Sequence, residues 1–162
     1  MKKNKQKSSE VKYMELAIEI AEKGVKKGNS PFGACIVRNG IVIACTHNTV
    51  IPKRDATRHA EMNAIAGASE KLRTFDLNGC IIYSTTEPCP MCFSAIHWAR
   101  ISKIVYGTNI NDVKALGFSE LTINNKQMKK LGKSKVKIKQ DFMRKECLEL
   151  LKTWKKGKGK TY

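Results

Sequence analysis

Residues 80–107 read CIIYSTTEPCPMCFSAIHWARISKIVYG, and this stretch decides the fold class. An apolar, β-branched run at 80–84 predicts a buried strand, and a second run at 103–107 predicts another. Between them, Pro90 suits the first turn of a helix, which we expect to run to about Ala99. A strand, a helix and a strand in this order indicate two parallel strands joined by a crossover helix.

A hairpin and further helices flank this unit. The turn Arg38-Asn39-Gly40 separates two β-branched runs, and an Asn-Gly in that position is the strongest short-range hairpin signal. The pattern of apolar residues also predicts strands at Ala34–Val37, Ile41–Cys45 and Val136–Lys139, and helices at Val11–Lys27, His59–Leu72 (with Met62, Ile65 and Ala66 facing inward) and Phe142–Trp154. The order predicts an α/β fold, a three-layer α/β/α sandwich around a mixed sheet.

Length and charge suggest one domain with basic ends. The chain of 162 residues fits a single domain, 1–162, with a basic N-terminal extension at 1–10 and a C-terminal helix and basic tail at 140–162. The formal net charge is +17, of which residues 126–162 carry +11. Such ends could contact phosphates or RNA, or they could only keep the protein in solution. No apolar run is long enough to cross a membrane and no secretory signal is visible, so we expect a cytoplasmic protein.

The six cysteines fall into two groups. In a cytosolic chain, the C-x-x-C of Cys89 and Cys92 is typical of metal binding or redox chemistry. The remaining cysteines lie within apolar runs and are predicted to be small core residues: Cys35, Cys45, Cys80 and Cys147.

The residues that carry chemistry are His59-Ala60-Glu61 and Pro88-Cys89-Pro90-Met91-Cys92. One imidazole and two thiolates are ligands that zinc prefers, and a catalytic zinc keeps three protein ligands and a position for water. Glu61 is close enough to His59 to reach that water without binding the metal, and it is therefore predicted to move protons. A redox dithiol or a four-ligand structural zinc site is the alternative. His47 and His97 are interpreted as non-ligands.

Together, H-x-E and P-C-x-x-C resemble the signature of zinc deaminases. From about Val11 to Val113 the chain resembles the cytidine deaminase superfamily. The resemblance implies a five-stranded mixed sheet between helices and a hydrolytic deaminase with one Zn²⁺ per chain. It implies that His59, Cys89 and Cys92 bind the metal and that Glu61 is catalytic.

The segment from Glu87 to Arg100 resembles the purine-acting branch, which comprises guanine deaminases and tRNA adenosine deaminases. Trp98-Ala99-Arg100 resembles the guanine deaminases in particular. We therefore expect an enzyme that converts guanine and water to xanthine and ammonia, or that acts on guanosine or a related aminated ring. A tRNA-specific adenosine deaminase is the alternative, because the lysine-rich final helix is similar to the helix that contacts RNA in those enzymes.

The same resemblance implies a set of substrate-binding residues. Phe32 would stack on the ring, Asn48 would hydrogen-bond the purine, and Asp112 would bind its amino and ring N–H groups. Tyr162 would contact substrate from a tail that is swapped between the subunits of a homodimer, and Trp98 is a further candidate. Each has a structural alternative: Phe32 and Trp98 as core residues, Asn48 as a turn residue, Asp112 as a helix cap and Tyr162 as a frayed terminus.

Overall fold

The computed structural model describes residues 2–162, with side chains from residue 9 onward. Met1 and the side chains of residues 2–8, which belong to the predicted basic extension, lie outside the described residues. The helices are α1 Lys2–Val25, α2 Val50–Lys53, α3 Ala60–Leu72, α4 Pro90–Trp98, α5 Ile110–Lys114, α6 Asn125–Leu131 and α7 Arg144–Lys156. The strands are β1 Gly33–Arg38, β2 Ile41–His47, β3 Cys80–Thr86, β4 Lys103–Thr108 and β5 Lys137–Lys139.

The strands form one five-stranded sheet in the order β2-β1-β3-β4-β5. β1 pairs antiparallel with both β2 and β3, whereas β3, β4 and β5 are parallel. The predicted mixed sheet is confirmed, and the 80–107 stretch forms its β3-α4-β4 unit. In the β1–β2 turn, Asn39 and Gly40 have φ of 51° and 80°, the left-handed conformation that a two-residue type I′ turn requires.

Helices cover both faces of the sheet and complete the three layers. Alternate residues of β1 point to opposite faces: Ala34 and Ile36 join the core beneath α3 and α4. Cys35 and Val37 join a second core with Met14 of α1 and residues of β3, β4 and α7. The central strands are therefore buried on both sides, which explains why they read as continuous apolar runs.

Helix α3 presents a different face to the sheet from the one predicted. Ala60, Ala64 and Ala68 are fully buried and Glu61 is nearly so, whereas Ala66 is exposed. The prediction that Met62, Ile65 and Ala66 face inward was wrong for Ala66, whereas Met62 is half-buried and Ile65 is half-buried against the core. Small side chains let the helix lie close to the sheet, and the same rotation turns Glu61 toward the buried end of β3.

Cys35 and Cys45 belong to the second core, as predicted: Cys35 is a member of it and Cys45 packs against it. They are directly opposite each other in the β1–β2 hairpin, and their sulfur atoms are bonded in a disulfide. This bond was not predicted, because a sequence without a known register does not reveal which residues of two strands are paired. Cys80 and Cys147 are buried free thiols, as predicted.

The fold brings two helix starts to one end of the sheet. β3 ends at Thr86, three residues before Cys89, and α3 begins after His59 beside it. The carboxyl ends of strands in open α/β sheets are the usual location of ligand sites. Within residues 2–162, no helix is long and apolar enough to span a bilayer.

Candidate metal centre and active site

Three potential metal ligands meet at the starts of α3 and α4. His59 and Cys89 occupy the N-cap positions of these helices in extended conformation, and Cys92 lies in the first turn of α4. The Nδ1 atom of His59 lies 3.6 Å from the Sγ atom of each cysteine. Tetrahedral zinc with Zn–N of about 2.0 Å and Zn–S of about 2.3 Å separates such ligand atoms by roughly 3.5 Å. The three side chains therefore fit one zinc ion.

No fourth side chain completes a closed site among the described residues. Among the described His, Cys, Asp and Glu residues, only these three form a group in which all ligand atoms lie within 4.8 Å of one another. The Nδ1 atom of His47 is hydrogen-bonded to the carbonyl of Asn48, and that of His97 to the Ser134 hydroxyl. Neither histidine belongs to the group of three. Three protein ligands are the number found in catalytic zinc sites.

The two cysteines have opposite pKa shifts. A hydrogen bond from the Cys92 thiol, assisted by His59, lowers the pKa of Cys89 to about 4 although burial opposes the change. The pKa of Cys92 is raised by its bond to Cys89 and by burial. Because the thiolate is the form that binds metal, the lowered pKa of Cys89 favours its role as a metal ligand.

Glu61 lies beside this cluster without joining it. One carboxylate oxygen, Oε1, accepts a hydrogen bond of 2.9 Å from the Ser84 hydroxyl, and Oε2 lies 3.6 Å from the Sγ atom of Cys92. Burial raises the pKa of Glu61 above its ordinary value. A raised pKa lets a carboxyl group hold a proton more readily, as a residue that transfers protons must.

Phe32 and Asn48 line the cavity beside Glu61. The cavity is also lined by His59, Thr86, Glu87, Cys89 and Glu120. The ring of Phe32 packs against that of Phe118, with centroids 5.1 Å apart and the ring planes at 61°. Asn48 is fully buried; its oxygen accepts from the backbone N–H of Val50.

The C-terminal tail covers the mouth of this cavity in its own chain. The hydroxyl of Tyr162 accepts a hydrogen bond of 2.8 Å from the Asn48 amide and lies 3.2 Å from the Nε2 atom of His59. Its ring contacts Phe118. A mouth of about 260 Å³ lies between this tail, the start of α4 and the segment around Phe118.

Asp112 and Trp98 do not reach the site. Both carboxylate oxygens of Asp112 bond the Arg144 guanidinium at 2.6 and 2.9 Å, and one also closes a capping box with Asn109 at the start of α5. Trp98 is 79% exposed at the end of α4, about 13 Å along the helix from Cys89. Within this chain, therefore, one caps a helix and the other lies on the surface, and their binding of substrate stays a prediction.

Glu120 is a site residue that the sequence analysis missed. Its Oε2 atom is buried without a hydrogen-bond partner, and it lines the cavity with Phe32, Asn48 and Glu61. Burial, together with the negative charges of Cys89 and Glu61, raises its pKa to about 7. It is the single charged residue between Lys114 and Lys126, and this isolation is the signal that could have identified it.

The fold and the site define the class of protein: a zinc-dependent hydrolytic deaminase. Residues 7–108 match the family described as the cytidine and deoxycytidylate deaminase zinc-binding region, and the chain belongs to this family.

Relatives within the family act on different substrates. The chain is 40% identical to guanine deaminase of Bacillus subtilis (strain 168) over 109 residues, which cover 67% of this chain and 70% of that one. It is 34% identical to the tRNA-specific adenosine deaminase of Buchnera aphidicola subsp. Schizaphis graminum (strain Sg) over 146 residues, 90% and 93% of the two chains. The solved structure of guanine deaminase from Nitrosomonas europaea superposes with a TM-score of 0.81 and 28% identity, covering 88% of this chain and 82% of that one. These relatives support the reaction class and leave two candidate substrates.

Proposed function

We propose that this deaminase acts on guanine, with release of ammonia and formation of xanthine. The observation that carries the proposal is the buried carboxyl group of Glu120, which has an oxygen without a partner beside the metal ligands. A buried acceptor without a partner selects a ligand that brings a donor. Guanine has a ring N–H on its Watson–Crick edge, whereas adenine has an unprotonated ring nitrogen there.

The proton transfers are assigned to Glu61. A bound zinc ion would supply Lewis acidity that makes water nucleophilic near neutral pH. Glu61 takes a proton from the water that adds to the ring carbon and delivers it to a ring nitrogen. It then takes the remaining hydroxyl proton of this adduct and delivers it to the amino group, which leaves as ammonia while the C=O bond forms. Its bond from Ser84 keeps one oxygen oriented while the other faces the reacting centre.

The remaining wall residues orient the ring. Phe32 offers an aromatic face for stacking, and the Asn48 amide is a donor for a purine nitrogen or carbonyl. The tail that ends in Tyr162 excludes water from the site, which strengthens the electrostatic interactions within it. We propose His59, Cys89 and Cys92 as the zinc ligands.

A second candidate is deamination of adenosine in a tRNA. Two observations favour it: the relative aligned over 90% of this chain is a tRNA-specific adenosine deaminase, and residues 126–162 hold fourteen Lys and Arg residues. A basic surface of this kind can bind a phosphate backbone.

The experiment is ammonia release from the zinc-loaded protein with guanine, guanosine, adenosine and a tRNA anticodon stem-loop. We expect turnover of guanine that persists in high salt. We also expect kcat/KM for guanine to fall at least tenfold in Glu120→Gln, because a charged acceptor of the ring N–H is replaced by a weaker neutral one. Glu149→Gln, a change of the same chemistry on the exposed side of α7, should leave it unchanged. Activity confined to the stem-loop and abolished by salt would instead support the RNA substrate.

A further inference from the structure

One buried carboxylate holds both ends of the segment that carries Phe118 and Glu120. This segment, residues 110–125, leaves the end of β4, crosses the mouth of the site and returns. The Oε2 atom of Glu87 accepts a hydrogen bond of 3.2 Å from the backbone N–H of Ile110. Its Oε1 atom accepts one of 2.8 Å from the backbone N–H of Asn125. The two ends of a 16-residue segment therefore meet at one side chain, as in an Ω-loop.

Glu87 is also joined to the turn that carries Cys89. It directly precedes Pro88, and the carbonyl of Pro88 accepts a hydrogen bond from the Asn125 side chain. The Glu87 backbone N–H donates to the carbonyl of Thr108 at 2.8 Å, which continues the pairing of β3 with β4. Glu87 is only 4% exposed and Asn125 is fully buried. The metal-ligand turn and the 110–125 segment are thus connected through buried bonds.

These bonds have a clear physical role. The segment includes only five residues of helix before α6, and much of its 115–124 part is exposed. Ordering such a segment costs conformational entropy, and fixing its ends beside each other reduces the number of conformations that it can adopt. Bonds to a carboxylate are stronger than bonds to a neutral acceptor. Both oxygens of Glu87 accept such bonds, one from each end of the segment.

We propose that Glu87 is a positioning residue, which holds Phe118 and Glu120 at a fixed distance from the metal ligands. The part that concerns substrate rests on the function proposed above for Glu120. The carboxylate acts through the 110–125 segment and makes no direct contribution to the chemistry.

The substitution Glu87→Gln tests this role. The amide NH₂ of glutamine meets a backbone N–H, donor against donor, so one end of the segment loses its bond. We expect KM for guanine to rise at least tenfold while kcat changes less than about threefold and the zinc content stays the same. Tyr106→Phe is the matched control. It removes the third bond to the Glu87 carboxylate, from the Tyr106 hydroxyl at 3.2 Å, but it leaves both ends of the segment held.

Amide hydrogen exchange of the zinc-loaded protein provides a readout that needs no substrate. Exchange at residues 115–122 should be at least tenfold faster in Glu87→Gln and unchanged in Tyr106→Phe. If Glu87→Gln does not fold, Ile110→Pro is the second variant. It removes the donor N–H at the first position of α5, where proline is tolerated, together with the buried Ile110 side chain. Ile110→Ala removes that side chain but keeps the N–H, so the faster exchange is expected in Ile110→Pro and not in Ile110→Ala.

The proposal would be overturned if Glu87→Gln folds and its residues 115–122 exchange at the wild-type rate. Loss of zinc from Glu87→Gln without faster exchange in the 110–125 segment would also overturn it. Faster exchange without guanine turnover in the wild type would support the positioning role and contradict the proposed substrate.

Discussion

At the residue scale, the site depends on side chains that are close in space but belong to two sequence motifs. The types and spacing of His59, Cys89 and Cys92 were sufficient to predict that they form one cluster, because each motif begins a helix and the ligand chemistry is specific to zinc. Glu120 and Asp112 could not be distinguished in this way. The carboxylate of Asp112 is paired with Arg144, a partner 32 residues further along the chain, and no local pattern indicates that contact.

Glu61→Gln tests the proton-transfer role. The amide keeps the size of the side chain but cannot accept and release a proton, so kcat should fall by about 10²- to 10⁴-fold. Zinc content should remain that of the wild type, because Glu61 is not among the three ligands. Metal analysis and steady-state ammonia release measure both quantities. Retention of more than a tenth of wild-type kcat would contradict the assignment.

At the element scale, hydrophobic periodicity predicted the elements that form the sheet and its covering helices. It did not predict α2, α5 or α6, because helices of four to seven residues are too short to show a repeating apolar face. It also placed the start of α1 at Val11 instead of Lys2, since the first turns are polar and have no apolar stripe. The most deeply buried face of α3 escaped prediction because it consists of alanines and a glutamate, whereas Ile65 packs against the core from a half-buried position.

The tail depends on a close contact between Gly159 and the indole of Trp154. A Cβ atom at Gly159 would lie 2.1 Å from Cε2 of that ring. Gly159→Ala should therefore displace the tail and raise KM for guanine at least threefold with a smaller change in kcat. Gly157→Ala, whose Cβ would make ordinary contacts at 3.5 Å, is the matched control. Equal kinetics for the two variants would show that the tail does not contribute to binding.

Glu10 connects α1 to the sheet through ion pairs with Lys103 of β4 and Lys139 of β5. Burial would raise the pKa of Glu10, but the hydrogen bonds from the two lysines outweigh it and lower the pKa below the ordinary value of 4.5. A carboxyl group with a lowered pKa stabilises the folded state above the unfolded pKa, and this contribution is lost as pH falls through the folded pKa.

Glu10→Gln should therefore lower the free energy of unfolding by about 2 kcal/mol at pH 7, and the difference from wild type should shrink as pH falls below 4.5. Urea denaturation across this range measures it. Glu19→Gln, at an exposed position of α1, should show no comparable pH dependence. If the difference in free energy of unfolding between wild type and Glu10→Gln increased as pH falls, the stabilising role of the ionised Glu10 carboxylate would be contradicted.

At the scale of the whole molecule, a single domain, 1–162, remains our prediction, as do a cytoplasmic location and a homodimer. The reaction class follows from the family, whereas the substrate depends on surfaces that come together only on folding. The tail is an example: Tyr162 is 103 residues from His59 in sequence, yet its hydroxyl lies 3.2 Å from the imidazole of the same chain. Sequence patterning cannot reveal a contact that depends on the path of six residues after α7.

Mixing two impaired variants distinguishes a tail that covers its own site from one that is swapped. Glu61→Gln has a tail but lacks the proposed proton carrier, and a chain truncated after Lys156 has Glu61 but lacks the tail. With the tail on its own chain, co-refolded mixtures should have no more guanine deaminase activity than the separate variants. Recovery of activity in the mixture would indicate a swapped dimer.

X-ray absorption at the zinc edge of the purified protein tests directly whether the zinc centre has three protein ligands. We predict about one zinc per chain with two sulfur ligands at about 2.3 Å and one imidazole nitrogen at about 2.0 Å, completed by a light atom that exchanges with small inhibitors. Cys92→Ser should reduce the sulfur count by one. Absence of zinc, or a sphere filled by four protein ligands that no small molecule displaces, would contradict the account.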